Sequence, residues 1–233
     1  MNQYRLFSNF KCRFFCERKK GPCVIYITGS FINYEVREIY QRALQTSGIK
    51  DYVFCELMVE AWDDMLTPWP ADAGMKGRAF TGKGILLLKE IKEKLLPYLK
   101  EQFPDCNHIY IAGYSLAGLF ALWSLYETDI FDGAVCCSGS LWYPAWKEYI
   151  SEHFLNKKSD VYLSLGKKEE KTKHFLMKQV GENTRQQYLN LQQDDNANMV
   201  TLEWNEGGHF ADTVERVSNG ISWMLRQYKK RSV

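Results

Sequence analysis

The sequence predicts an α/β fold, a mostly parallel central sheet with helices on both faces. Three observations carry that expectation. Short apolar, β-branched runs alternate along the chain with longer amphipathic or Ala/Leu-rich segments. Several of the runs are apolar at nearly every residue, the pattern of strands covered on both faces. Finally, the stretch HIYIAGYSLAGLFALWSLY passes from strand to helix with no connecting loop, through small residues gathered around a serine.

Residues 3 to 16 read as an N-terminal hairpin, with arms QYRLF and FKCRFFC joined at Ser8 and Asn9. PCVIYITG is a buried strand ending in Gly29. A helix is expected from about Asn33 to Ser47, closed by Gly48, and DYVFCELMV is the next strand. WDDMLTPWPADAGMKGRAFTGKG, with its prolines and glycines, reads as a loop long enough to suggest a function. ILLLKEIKEKLLPYLKEQF is amphipathic and should bend or end near Pro97, which has no N–H to continue the ladder. After the strand–serine–helix stretch come the strands GAVCCSGS and VYLSLG, then a polar helix from about Thr172 to Leu191. The strand MVTLEW and a helix from about Thr213 to Tyr228 complete the pattern. With no repeat, low-complexity linker or composition break, residues 1–233 read as one domain without a separate lid domain.

Composition narrows the function. At 45% hydrophobic and 25% charged, the chain can build a substantial core. A net charge of +2, with lysines scattered or gathered in the tail KKRSV, gives no basic patch for nucleic acid. No run reaches the roughly 18 apolar residues of a membrane span. MNQYRLFSNFKCRFF lacks the apolar core of a signal peptide, so the cytoplasm is the expected compartment. Seven cysteines, an odd number without C-x-x-C pairs, argue against a disulfide framework. Cys12 and Cys16 have no accompanying histidine, and neither metal nor cofactor is expected.

The serine in the strand–helix join is Ser115. In parallel sheets, ligands bind at the carboxyl ends of the strands, where Ser115 would sit. So sharp a turn needs small residues two before and two after, and Gly113 and Ala117 meet that need. This is the G-x-S-x-G elbow pattern with alanine in its last place. A nucleophilic serine needs a base. Of four histidines, His108 precedes its strand, His153 falls on a helix face and His174 follows a lysine-rich loop. His209, in LEWNEGGHFADTVERV, alone stands after a strand and before a helix whose start Asp212 and Glu215 would cap. An acid should follow the intervening strand, and Glu169 and Glu170 both leave VYLSLG. The chain order serine, acid, histidine fits this reading.

At this point the sequence resembles the putative-esterase branch of the α/β-hydrolases, which includes S-formylglutathione hydrolases, feruloyl esterases and siderophore esterases. The resemblance rests on IAGYSLAGLFALWSLY, FDGAVCCSGSLWYPAW, VYLSLGKKEE, EGGHF and the loop WDDMLTPWP, from about Cys23 to Leu225. It implies a compact α/β-hydrolase fold, Ser115 as nucleophile and His209 as base. The family spacing of three residues from the strand-ending glycine, here Gly166, implies Glu169 as the acid. It also implies an oxyanion hole from the N–H groups of Leu116 and Ser30. The chain departs from the family in Ala117 and in using glutamate where aspartate is commoner.

Trp62, Trp69, Trp142 and Trp146 follow strands at the sheet end of Ser115, and Trp62 and Trp142 are expected to bind substrate. Asp63 and Asp64 are candidates for contacting substrate hydroxyls or simply solvated. The resulting expectation is a serine esterase acting on a small-molecule ester. An acyltransferase on the same scaffold and a non-catalytic binding protein are the alternatives, and oligomeric state is left open.

Overall fold

The structure is a computed structural model that describes residues 4–32, 36–72, 74 and 78–231. Among them, eight strands join in one sheet. β1 (Arg5–Leu6) and β2 (Phe10–Phe15) form the N-terminal hairpin, and β2 pairs antiparallel with β4 (Val53–Val59). From β4 the sheet runs in parallel through β3 (Cys23–Gly29), β7 (Ile109–Tyr114), β8 (Gly133–Cys137), β9 (Ser159–Gly166) and β10 (Ala197–Asn205). β5 (Pro70–Ala71) and β6 (Phe80–Thr81) make a separate small hairpin inside the long loop. β3, β8 and β9 are buried at every residue, because helices cover both faces. The expected first hairpin residue, Gln3, and the expected helix start at Asn33 lie outside the described residues.

On one face α1 (Val36–Ser47) and α8 (Thr213–Arg231) share a core in which Ile39 and Ala43 join Val217, Ile221 and Leu225. α2 (Trp62–Met65) is a single turn after β4. The other face carries α3 (Gly84–Glu90), α4 (Leu96–Gln102), α5 (Leu116–Glu127), α6 (Trp146–Glu152) and α7 (Val180–Gln192). The chain passes from β3 to β4 on one side and returns to β7 on the other. The segments leaving β3 and β7 therefore diverge and open a crevice at the carboxyl ends of the strands.

Two elements differ from expectation for local reasons. The helix through Pro97 does not end there: Ile91–Leu95 forms a π turn in which the Leu96 N–H reaches the Ile91 carbonyl, and α4 follows. Proline cannot donate to the carbonyl four residues back, and the wider turn accommodates that lost bond. The polar helix begins at Val180, after a 3₁₀ turn at Met177–Gln179, not at Thr172. The Thr172 hydroxyl accepts the His174 N–H at 3.3 Å, a local turn that competes with helix.

Candidate active site

Ser115 sits between β7 and α5 with φ 60° and ψ −123°, a left-handed backbone rare for any residue but glycine. Steric room for this turn comes from Gly113: a Cβ there would stand 2.2 Å from the backbone carbonyl of Ala117. The turn lifts the serine hydroxyl out of the sheet end. It also sets Ser115 beside the first N–H groups of α5, which have no intrahelical acceptor.

Six parallel strands meet at this end, and four of their following segments contribute to one hydrogen-bonded chain. The Ser115 hydroxyl lies 3.1 Å from Nε2 of His209, which follows β10. The His209 Nδ1 lies 2.7 Å from Oε2 of Glu169, which follows β9 in a 3₁₀ turn. A proton on Nδ1, donated to the carboxylate, leaves Nε2 free to accept from the serine. The other carboxylate oxygen, Oε1, accepts the Gly166 N–H and the Ser138 hydroxyl, each at 2.7 Å. Ser138 and Ser140 come from the turn after β8, and both are buried. The Ser140 hydroxyl stands 3.3 Å from that of Ser115. Burial works to raise the Glu169 pKa, but hydrogen bonds from His209, Ser138 and Gly166 outweigh it and hold the group below the usual carboxylate range.

Glu170 turns the other way. Its carboxylate takes both arms of Arg185, at 2.9 and 3.0 Å. His108 lies at the opposite end of the sheet beside Asp132, His153 stacks on Tyr149 past the end of α6, and His174 stacks on Phe175. Asp212 does not adopt the extended backbone of an N-cap: it is left-handed, φ 52°, and its carbonyl accepts the Arg216 N–H.

A cavity of about 890 Å³ opens over this chain of groups. Ser115, Leu116, Glu169 and His209 line it, as do Trp62 and Trp142. Trp69 and Trp146 instead stack on each other within the core, 6.4 Å between ring centres, and the Trp69 indole donates to the Pro144 carbonyl. Asp63 borders the cavity with its carboxylate bound to Arg78, and Asp64 accepts the Thr81 hydroxyl at 2.8 Å. Ser30 lies exposed in the turn Gly29–Ile32, and its neighbours Phe31 and Ile32, not Ser30, are the residues of that turn that reach the cavity. Phe31 packs edge-on against Trp62. Among the described residues no group of three His, Cys, Asp or Glu side chains is placed to hold a metal ion.

Sequence reasoning passed over Ser138, Ser140 and Arg216. Serines just after a strand carry no distinguishing signal. Arg216 does carry one: with Gly220 and Met224 it falls at intervals of four on the buried stripe of α8, where a charge is out of place.

Comparison with known proteins places the chain in a family. The family model described as putative esterase matches residues 9–212. YbbA of Bacillus subtilis (strain 168) is 24% identical over 215 residues, which cover 87% of this chain and 85% of that protein. An IroE-like serine hydrolase from Shewanella oneidensis superposes with a TM-score of 0.76 at 14% identity, covering 93% of this chain and 76% of that one. The siderophore hydrolase EstA from Aspergillus nidulans superposes with a TM-score of 0.69 at 16% identity, covering 94% and 90%. The structural neighbours share the fold, and the family model spans most of the chain. The chain belongs to the putative esterase family, with an α/β-hydrolase fold, and is a carboxylic ester hydrolase.

Proposed function

We propose that this esterase works through an acyl-enzyme on Ser115, with His209 as general base and Glu169 as the acid that orients it. The observation that carries the reading is the unbroken path from Ser115 through His209 to Glu169 on the wall of the cavity. Ser115 Oγ attacks the ester carbonyl as its proton passes to His209 Nε2. Glu169 stabilises the imidazolium without taking its proton. The oxyanion is met by the N–H of Leu116, at the start of α5, and by one from the turn Gly29–Ile32. His209 then protonates the leaving alcohol, and water, deprotonated by the same imidazole, releases the acid and regenerates Ser115. Trp62 and Trp142 hold the apolar part of a small-molecule ester.

In this reading the chain acts as one domain, with neither nucleic acid nor membrane as partner. Its seven cysteines, all free thiols, fit the reducing cytoplasm. A fluorophosphonate probe followed by peptide mapping tests the nucleophile. Ser115 should carry the label, and Ser115→Ala should lose both labelling and hydrolysis of short aryl esters, with a fall in kcat on the order of 10⁶. Labelling of that variant at the wild-type rate on another serine would refute the assignment. Adding an alcohol and measuring transfer product against free acid decides between hydrolysis and acyl transfer.

A further inference from the structure

Behind Glu169 lies a guanidinium that the mechanism above does not use. Arg216 of α8 is 2% exposed, among the largest buried side chains of the protein. Its Nη1 lies 3.3 Å from Glu169 Oε1, 3.2 Å from the Ser138 hydroxyl and 3.3 Å from the Tyr114 hydroxyl. Its Nη2 donates to the Glu206 carbonyl at 2.6 Å, and the Tyr114 hydroxyl donates in turn to the His209 carbonyl. One planar cation thus touches the acid, the residue before the nucleophile, the turn after β8 and the loop that carries His209.

Stability alone is a poor reason for such a residue. A buried ion pair is often no better for folding than apolar side chains of the same volume. The buried stripe of α8 that continues from it, with Val217, Gly220, Ile221 and Met224, would accept such a side chain. The Arg216 Nε–H, moreover, is buried with no acceptor, a cost that the fold bears. What an apolar residue could not do is supply charge and a fork of donors at the acid. A glutamate carboxyl is free to turn about its last bond. Donors crowded on Oε1 stop that rotation and leave Oε2 for the imidazole.

Resting on the acyl-enzyme reading of the site, we propose that Arg216 is a positioning residue of this esterase. It anchors Glu169 by one oxygen so that the other faces His209, it holds the histidine's loop in place, and it sets a positive charge behind the His209–Glu169 pair. The sign of the charge effect follows from electrostatics. A cation beside the His209–Glu169 pair disfavours the proton that would inactivate the base, so removing the cation must raise the pH at which the base titrates.

The other charged or ionisable groups around the pair cannot mimic this signal. Tyr114 and Cys137 face it from the strands, and burial raises both, the thiol to about 12. Glu206 precedes the histidine and is held low by its bond to Lys167. Lys168 and Lys171 border the cavity from the acid's turn, and Glu60 with the Asp63–Arg78 pair from the far wall. His209 is the one imidazole in the group, and only an imidazole ordinarily titrates between about pH 5 and 8.

The test is kcat/KM for a short aryl ester against pH, in wild type, Arg216→Met and Arg216→Lys, with active sites counted by the fluorophosphonate. In Arg216→Met the midpoint of the acid limb should rise by roughly one pH unit. The plateau per active site should fall at least about tenfold, with KM little changed because Arg216 does not line the cavity. Arg216→Lys keeps the charge but not the fork. Its midpoint should return to wild type while its plateau stays low. A purely structural role would lower the thermal midpoint and the number of active sites but leave the acid limb in place, and that result overturns the proposal. So does a Met-like midpoint in the Lys variant. If Arg216→Met fails to fold, the Lys variant decides alone: a wild-type plateau overturns the proposal, and a low plateau at the wild-type midpoint supports it. Hydrolysis that persists in Ser115→Ala would instead sink the acyl-enzyme reading on which this one rests. A Ser115-dependent reaction whose acid limb is unmoved in Arg216→Met sinks only the role of Arg216.

Discussion

Replacing Glu169 by glutamine separates the two adjacent glutamates and measures what the acid does. The variant keeps the shape of the side chain but must place one carbonyl oxygen and one NH₂ where two acceptors stood. On the Oε1 side wait three donors, from Gly166, Ser138 and Arg216, so the amide oxygen settles there. The NH₂ then faces His209 Nδ1 and requires it to accept. The imidazole proton moves to Nε2, the atom that must receive the proton of Ser115. This is the wrong tautomer for a base, and a loss of roughly 10⁴ in kcat is expected, about 5.5 kcal/mol at 1.36 kcal/mol per tenfold. Glu170→Gln breaks only a solvent-facing pair with Arg185, worth under about 1 kcal/mol, so kcat should change less than about fivefold. Steady-state hydrolysis of a short aryl ester measures both. A second readout comes from linkage. The Glu169 pKa is depressed on folding, so its contribution to stability is present above the ordinary carboxylate range and lost as pH falls through the folded value. Urea unfolding of Glu169→Gln should therefore depend less on pH than wild type on the acid side. The reverse pattern of rates would move the acid to Glu170, and two near-silent variants would mean a Ser–His dyad.

Two further outcomes are expected. The rate should rise with pH through one ionisation, because a base accepts a proton only when neutral; His209→Ala should abolish that limb, and its persistence there or loss in His174→Ala would relocate the base. Gly113→Ala drives a methyl to 2.2 Å from the Ala117 carbonyl and should destabilise by about 3 kcal/mol. That corresponds to a thermal midpoint lower by about 6–12 °C in calorimetry, and an unchanged midpoint would mean that the elbow relaxes freely.

The sheet was legible because burial on both faces demands apolar runs, and CVIYITG and GAVCC show them without interruption. The elbow was legible for a steric reason: few turns other than one this tight require small residues on both sides of a serine. The carboxylate that meets His209 was legible from the residues only as one of a pair, since strand spacing places Glu169 and Glu170 alike after β9. Their divergence arises in a 3₁₀ turn, which separates neighbouring side chains by about 120°. Tertiary contacts account for the rest. Trp69 and Trp146 join the core through a stacking partner far along the chain, while the polar helix starts late because the Thr172 hydroxyl accepts the His174 N–H in a local turn where helix was expected. Ser138, Ser140 and Arg216 matter through residues dozens of positions away, and no local pattern encodes that distance.

Backbone strain follows the same geography. Among the described residues, the non-glycine positions with φ in the left-handed range are Lys19, Ser115, Ser138, Ala145 and Asp212. Ser115 and Ser138 lie in the hydrogen-bonded chain itself, and Asp212 stands three residues beyond His209. Each such residue costs of order 1–3 kcal/mol, so the site stores strain that something rigid must hold. α5 supplies that rigidity: every residue from Leu116 to Tyr126 is buried, so the helix that starts at the elbow is packed on all sides and cannot retreat to relax it. Arg216 does the same for the opposite wall through Glu169, Ser138 and the Glu206 carbonyl. The arrangement fits a hydrolase whose groups are aligned before substrate arrives, since donors already in place need no reorganisation when charge develops on the oxyanion.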